Sequence, residues 1–125
     1  MKESCQSQAL LTLAASEFFF KYARINGTKH ITKVRRLFRA TLNGWMAEDF
    51  HRYCDGKGPT LCLIQSTLNY LSAGFTSISW KSTKEGTDGE DSSAMVFALT
   101  NELQVFKTKN PKYAVWHHSK NGPFF

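Results

Sequence analysis

Cysteine is scarce in this chain, and its count rules out a complete disulfide framework. The sequence contains three cysteines, Cys5, Cys54 and Cys62, so any pairing leaves one thiol free. A low, odd count is typical of proteins in a reducing compartment, whereas small secreted scaffolds carry paired cysteines. We therefore expect a cytoplasmic protein.

Long apolar runs are also missing. The longest apolar stretch, residues 9–20, is interrupted by serine and glutamate. It is shorter than the roughly 20 apolar residues that a helix needs to cross a bilayer. It also lacks the small-residue cleavage pattern of a signal peptide. The sequence therefore predicts neither a transmembrane segment nor a secretory signal.

The sequence has no paired metal-ligand motif and no recognisable phosphate-binding loop. The side chains that could bind a metal are His51, Cys54, Cys62, His117 and His118. They do not form the closely spaced Cys–Cys or His–His pairs that zinc sites use. The glycine-containing stretch at residues 56–60 lacks the spacing of a Walker A loop. We therefore expect no metal and no bound cofactor.

Aromatic residues, by contrast, are plentiful. They make up 14% of the 125 residues, ten being phenylalanine, and 42% of the chain is hydrophobic. This composition excludes a disordered chain. The length suffices for one core, which the rings are expected to fill.

Hydrophobic periodicity and turn residues divide the chain into helices followed by strands. An apolar stripe predicts a helix at residues 7–23, within an N-terminal helical segment at 1–30. Residues 31–125 are expected to contain a helix at 46–53, strands at 61–66, 74–81, 94–99, 103–107 and 113–117, and an exposed, mobile loop at 82–93. The apolar run at 94–99 is typical of a buried central strand. The order of elements predicts an α+β fold, with an antiparallel β-sandwich or twisted sheet flanked by short helices.

The spacing of His51 and Cys54 suggests a catalytic pair. A cysteine, a histidine and a nearby acidic residue such as Asp55 are what a thiol nucleophile requires, so a thiol-dependent enzyme centred on Cys54 is one hypothesis. However, Cys54 falls at the C-terminal end of the predicted helix, where the helix dipole disfavours a thiolate. We favour a structural interpretation, in which Cys54 is half-buried and His51 donates to a backbone carbonyl.

A basic run supplies a second alternative, a surface that binds nucleic acid or an anionic membrane. Its residues are Lys33, Arg35, Arg36 and Arg39. Positive side chains of this kind attract phosphates. Because the run lacks the interleaved aromatics that stack on bases, we favour a solvated face and expect no nucleic-acid partner.

Seven separated pieces of the chain, in order, resemble the TLDc domain of eukaryotic oxidation-resistance proteins. They are FRA (38–40), NGW (43–45), EDFH (48–51), CDGKGPTL (54–61), GFTSISW (74–80), NPKYA (110–114) and GP (122–123). The motif residues, which we interpret as mostly structural, are Phe50, His51, Cys54, Asp55, Lys57, Gly58, Pro59, Gly74, Trp80, Gly122 and Pro123. The resemblance covers residues 37–125. It favours a strand at 36–41, although the apolar spacing at 31–42 also fits a helix.

The resemblance implies a non-catalytic regulatory or protein-interaction module associated with oxidative stress resistance. In several family members it also implies binding to the vacuolar proton-pumping ATPase, whose subunits are therefore the expected partners. Family domains continue past a Gly-Pro pair with further strands. We therefore expect residues 31–125 to be the N-terminal part of a TLDc-like domain, truncated at the C-terminus and with an incomplete fold.

Overall fold

Two short helices open the part of the chain that the structure describes. The computed structural model describes residues 35–125, so the helix predicted at 7–23 and the segment at 1–30 lie outside it. The helices are α1 (Ala40–Asn43) and α2 (Ala47–Cys54). Both helices belong to a compact unit, Leu37–Phe125. A second unit, Met1–Arg36, consists almost entirely of residues that the structure does not describe.

Helix α2 is delimited by local signals at both ends. Two acidic residues occupy its first turn, and the Asp49 carboxylate accepts the backbone N–H of Met46 at 3.1 Å. At the other end, the Asp55 N–H donates to the His51 carbonyl at 3.1 Å, and Gly56 then takes a positive φ of 67°. The predicted helix at 46–53 is confirmed to within one residue.

The strand predicted at residues 36–41 is wrong. Residues 35–39 have no regular structure, and α1 follows them. The Asn43 side chain accepts the Arg39 N–H at 2.8 Å, and the Gly44 N–H donates to the Ala40 carbonyl at 3.0 Å. Because these bonds satisfy the backbone locally, the segment needs no neighbouring strand. Gly44 ends α1 with a φ of 111°, a backbone angle that favours glycine.

The described residues form two antiparallel sheets. The strands are β1 (Thr60–Gln65), β2 (Leu71–Thr76), β3 (Thr87–Gly89), β4 (Met95–Ala98), β5 (Gln104–Lys107) and β6 (Val115–His117). The larger sheet has the order β1-β2-β4-β5, and the smaller pairs β3 with β6. In the larger sheet, Cys62, Gly74, Val96 and Phe106 lie opposite one another across all four strands. The α+β prediction is confirmed.

The strand predictions differ in accuracy. Strands at 61–66, 94–99 and 103–107 are confirmed to within one or two residues, and β4 lies inside the sheet as expected. Its Val96 nevertheless stays 40% exposed, so β4 is not buried on both faces. A short 3₁₀ helix, Pro111–Tyr113, takes the start of the strand predicted at 113–117.

The strand predicted at 74–81 was placed too far along the chain, because β2 begins at Leu71. Strand β2 ends at Thr76, and Trp80 makes only an isolated parallel bridge with Asp55. At this point the Thr76 hydroxyl and the Ser77 N–H both donate to Asp91. These bonds hold the chain where it leaves the sheet.

The exposed, mobile loop predicted at 82–93 is also wrong in its central part. This stretch contains β3, and both Gly89 and Asp91 are buried. A side chain at Gly89 would bring a Cβ to 2.5 Å from the Val115 side chain and 2.6 Å from that of Ile78. The glycine therefore allows β3 to approach β6 closely.

Aromatic rings fill the core, as the composition predicted. Its buried members are Phe50, Cys54, Trp80 and Val115, and the partly buried Leu37, Phe38, Cys62, Ile78 and Phe125 pack around them. The Trp80 ring meets the Phe50 and Phe125 rings edge-to-face, with centroids 5.7 and 5.4 Å away. Its indole N–H donates to the Thr60 hydroxyl at 2.8 Å, which satisfies the polar atom of this buried ring.

Within residues 35–125, no helix is long and apolar enough to cross a membrane.

Candidate functional site

The last turn of α2 places His51 and Asp55 side by side. They are four residues apart, a spacing that puts two side chains on the same helix face. The His51 Nδ1 lies 2.7 Å from one Asp55 carboxylate oxygen, and the other oxygen accepts the Ser82 hydroxyl at 2.6 Å. Asp55 therefore joins the end of α2 to the segment after Trp80.

The second ring nitrogen of His51 reaches the other end of the sequence. Its Nε2 lies 2.9 Å from the His118 carbonyl and 2.8 Å from the Asn121 carbonyl. Burial of the ring lowers its pKa, but the Asp55 carboxylate and the two carbonyls outweigh burial and raise the pKa above 6.5. The carbonyl contacts agree with the structural interpretation of His51.

The Cys54 thiol does not have the surroundings of a nucleophile. Burial, and then the negative charge of Asp55, raises the pKa of Cys54 to about 11. The pKa of Cys62 is likewise raised to about 12, chiefly by burial. Both ring nitrogens of His51 are engaged by oxygen acceptors, so His51 is not positioned as a base for Cys54. The thiol of Cys54 is therefore protonated at neutral pH, chiefly because it is buried.

The two adjacent histidines have different surroundings. His117 is buried in β6 with its ring centroid 5.7 Å from that of Trp80. Its Nδ1 has no hydrogen-bond partner in the described part of the chain. Burial and then the positive charge of Lys81 lower the pKa of His117. The His118 ring is half-buried and its Nδ1 accepts the Lys120 N–H at 3.0 Å. No group of His, Cys, Asp or Glu within residues 35–125 could hold a metal ion.

Two glycines of the motif pieces adopt backbone angles that the turn after α2 requires. Gly56 and Gly58 adopt positive φ angles of 67° and 77°, which L side chains rarely adopt. The Gly58 N–H donates to the Ser79 hydroxyl at 2.8 Å, so the turn is tied to the segment before Trp80. Lys57 and Pro59 in the same turn are exposed.

Gly74 and the Gly122–Pro123 pair belong to one region of the fold. A Cβ at Gly74 would collide with the Phe125 ring, so this glycine makes room for the last aromatic side chain. Gly122 and Pro123 are half-buried and follow the turn at residues 118–121 that His51 contacts. Gly74 thus lies beside the ring, Phe125, that packs on Trp80.

The basic run can be followed only in part. Arg35 and Arg36 are exposed and Arg39 is half-buried, whereas Lys33 lies outside the described residues. Arg39 also caps α1 through its backbone. The four-residue basic surface remains a prediction.

An exposed apolar surface lies where α1 connects to α2, and the sequence interpretation missed it. It consists of Leu42, Trp45 and Met46, whose exposed fractions are 64%, 78% and 66%. We call it the Trp45 surface. The signal was present in the sequence, since an Asn-Gly turn followed by Trp-Met puts large apolar residues into a connection, a position usually occupied by polar residues.

A comparison with known protein families identifies the family of this chain. The family model of the TLDc domain matches residues 6–125, so the match begins well before Leu37, where the sequence resemblance began. Searches of curated proteins and of solved structures gave no match. TLDc domains are associated with resistance to oxidative stress. Because the match spans nearly the whole chain, the protein belongs to the TLDc-domain family.

Proposed function

We propose that this protein is a non-catalytic interaction module that contributes to oxidative stress resistance by binding the vacuolar proton-pumping ATPase on its cytoplasmic side. Membership of the TLDc-domain family supports the general role. The ATPase is the partner that the family resemblance implies, and its subunits provide an identifiable target for a binding test.

The observation that carries the proposal is the Trp45 surface. Trp45 is 78% exposed in the connection between α1 and α2. Tryptophan is enriched among interface residues whose truncation costs most of the binding energy. Two further apolar side chains, Leu42 and Met46, enlarge the same surface.

The thiol-enzyme alternative receives less support from the same geometry. A nucleophilic cysteine needs a low pKa and access to substrate. Cys54 has neither, since it is 5% exposed and its pKa is raised to about 11. The ring nitrogens of His51 contact the Asp55 carboxylate and two backbone carbonyls, so neither contacts the Cys54 thiol as a base would.

The proposal is tested by affinity capture from a eukaryotic lysate with the full chain as bait. We expect vacuolar ATPase subunits to be enriched on the wild-type chain, and Trp45→Ala to reduce that enrichment about tenfold or more, as truncation of a central interface residue does. The matched control is Leu68→Ala, which truncates an apolar residue of similar exposure, 76%, in the β1–β2 turn. It should leave the enrichment unchanged.

A chain unfolded by Phe50→Asp and Trp80→Asp sets the background, because both rings lie in the core. Enrichment equal to that background would contradict the ATPase assignment. Enrichment above background that falls equally with Trp45→Ala and Leu68→Ala would retain the partner and exclude the Trp45 surface as the contact.

A further inference from the structure

His51 joins two parts of the fold that are far apart in sequence. It lies in α2, and its Nε2 contacts carbonyls 67 and 70 residues further along the chain. Its Nδ1 contacts the carboxylate of Asp55. The side chain is 6% exposed, so water does not compete freely for either nitrogen.

All the partners of this ring are acceptors. A carboxylate and two carbonyl oxygens can only accept hydrogen bonds, whereas a neutral imidazole has one N–H to donate. A neutral ring would leave one nitrogen lone pair facing an oxygen in a buried site, which is unfavourable. Only the imidazolium, with an N–H on both nitrogens, satisfies every contact.

We propose that His51 is a pH-sensitive clasp, in which the protonated ring holds residues 118–125 against the core and loss of one proton releases them. The turn at 118–121 is the part held directly. Release would follow from the loss of one of the two sets of hydrogen bonds, because the neutral ring can donate to only one of them.

The held segment carries a ring of the core. After the turn, the Trp116 N–H donates to the Phe124 carbonyl at 3.0 Å. Phe125 then packs edge-to-face on Trp80 and fills the space above Gly74. Opening the clasp would therefore expose apolar surface around Trp80 and present it to solvent or to a partner.

The charged and titratable groups around the ring favour this behaviour. On α2, Asp55 supplies the negative charge that stabilises the imidazolium. On β6, burial and then the positive charge of Lys81 lower the pKa of His117; Asp55 opposes this and His51 adds to it. His118 and Lys120 lie in the held turn, with the His118 ring bonded to the Lys120 N–H.

The direction of the pH response follows from the raised pKa of His51. Although burial lowers it, Asp55 and the two carbonyls together raise the pKa above 6.5. The stabilisation from the clasp is complete below pH 6.5 and is lost as the pH rises through the folded-state pKa. The transition thus lies on the alkaline side of 6.5.

The experiment uses the unmodified full chain without any partner. Ring nitrogen NMR follows the protonation of His51, and amide hydrogen exchange, expressed as protection factors, follows residues 118–125. We expect His51 to titrate above pH 6.5 and protection in 118–125 to fall about tenfold in the same pH interval, the loss expected for one charge-assisted hydrogen bond. Protection in β1 and β2 should stay constant.

Two variants sharpen the test. Asp55→Asn keeps the shape of the partner but removes its charge, so the transition in 118–125 should move to lower pH. His118→Gln removes the neighbouring ring and keeps the carbonyl that His51 contacts, so the transition should remain. A His51 ring that is neutral at pH 6, or protection in 118–125 that does not change when His51 titrates, would overturn the proposal. These outcomes are independent of whether the chain binds the vacuolar ATPase.

Discussion

Asp91 is a buried carboxylate surrounded by donors. One of its oxygens accepts the Thr76 hydroxyl at 2.7 Å and the Ser77 N–H at 2.6 Å. The other accepts the Ser77 hydroxyl and both the N–H and hydroxyl of Ser93, at 2.7 to 2.9 Å. Burial alone would raise the pKa of Asp91, but these hydrogen bonds lower it to about 2.

Removal of this charge should destabilise the fold. We expect Asp91→Asn to lower the free energy of unfolding at pH 7 by about 2–3 kcal/mol, because an amide cannot accept all five hydrogen bonds and leaves buried donors unsatisfied. Urea denaturation at pH 7 measures the loss. Asp88→Asn is the matched control, since Asp88 is exposed on β3, and it should change stability by less than about 0.5 kcal/mol.

The same carboxylate predicts an acid limit to stability. Because the folded-state pKa lies below the ordinary value of 3.8, Asp91 adds stability above that value and loses it as the pH falls towards 2. The wild-type chain should therefore lose about 2 kcal/mol more than Asp91→Asn over this interval. Equal acid sensitivity of the two chains would contradict the assignment.

At the scale of elements, the sequence predicted those whose signals are local. The end of α2 is marked by Gly56, and β1 begins directly after Pro59. The apolar run of β4 is likewise recognised from adjacent residues. Phe50 and Trp80, which the resemblance marked as mostly structural motif residues, both lie in the core.

Elements that depend on distant partners were missed. Strand β3 has polar residues and two exposed positions, and it is a strand only because β6 pairs with it. Asp91 lies in an acidic, glycine-rich stretch, and nothing nearby reveals that Thr76 and Ser77 donate to it. In the candidate site, a carbonyl partner for His51 was predicted. Which carbonyls it contacts is decided by the turn at 118–121.

The packing of β2 against the end of the chain yields a prediction at the same scale. A methyl group at Gly74 would collide with the Phe125 ring, which rests on Trp80. We expect Gly74→Ala to lower the free energy of unfolding by about 1–3 kcal/mol through overpacking. Thermal or urea unfolding measures this change.

Gly122→Ala provides the control, because a Cβ at Gly122 meets no atom within 4 Å. It should change stability by less than about 0.5 kcal/mol. If both alanine variants were equally stable, Phe125 could not lie against Gly74 as the structure places it.

At the scale of the whole molecule, charge is unevenly distributed along the sequence. Residues 1–36 contain seven basic and two acidic residues, whereas residues 37–125 contain nine basic and eight acidic ones. The formal charge of +6 therefore comes mostly from the first 36 residues. A nearly neutral Leu37–Phe125 unit gives little long-range attraction for phosphates.

This distribution predicts weak, salt-sensitive binding to polyanions. We expect affinity for duplex DNA and for anionic lipid vesicles to become undetectable at about 150 mM salt, where exposed charges are screened beyond roughly 8 Å. At low salt, replacing Arg35 and Arg36 with glutamine should weaken binding, because both are exposed. The same change at Arg39 and Arg52, in the nearly neutral unit, should leave the binding unchanged.

Titration by fluorescence anisotropy and by vesicle sedimentation at several salt concentrations measures both effects. Binding that persisted at 150 mM salt and disappeared with Arg39→Gln would favour the basic-surface alternative over a protein partner, because it would place a phosphate contact inside the Leu37–Phe125 unit.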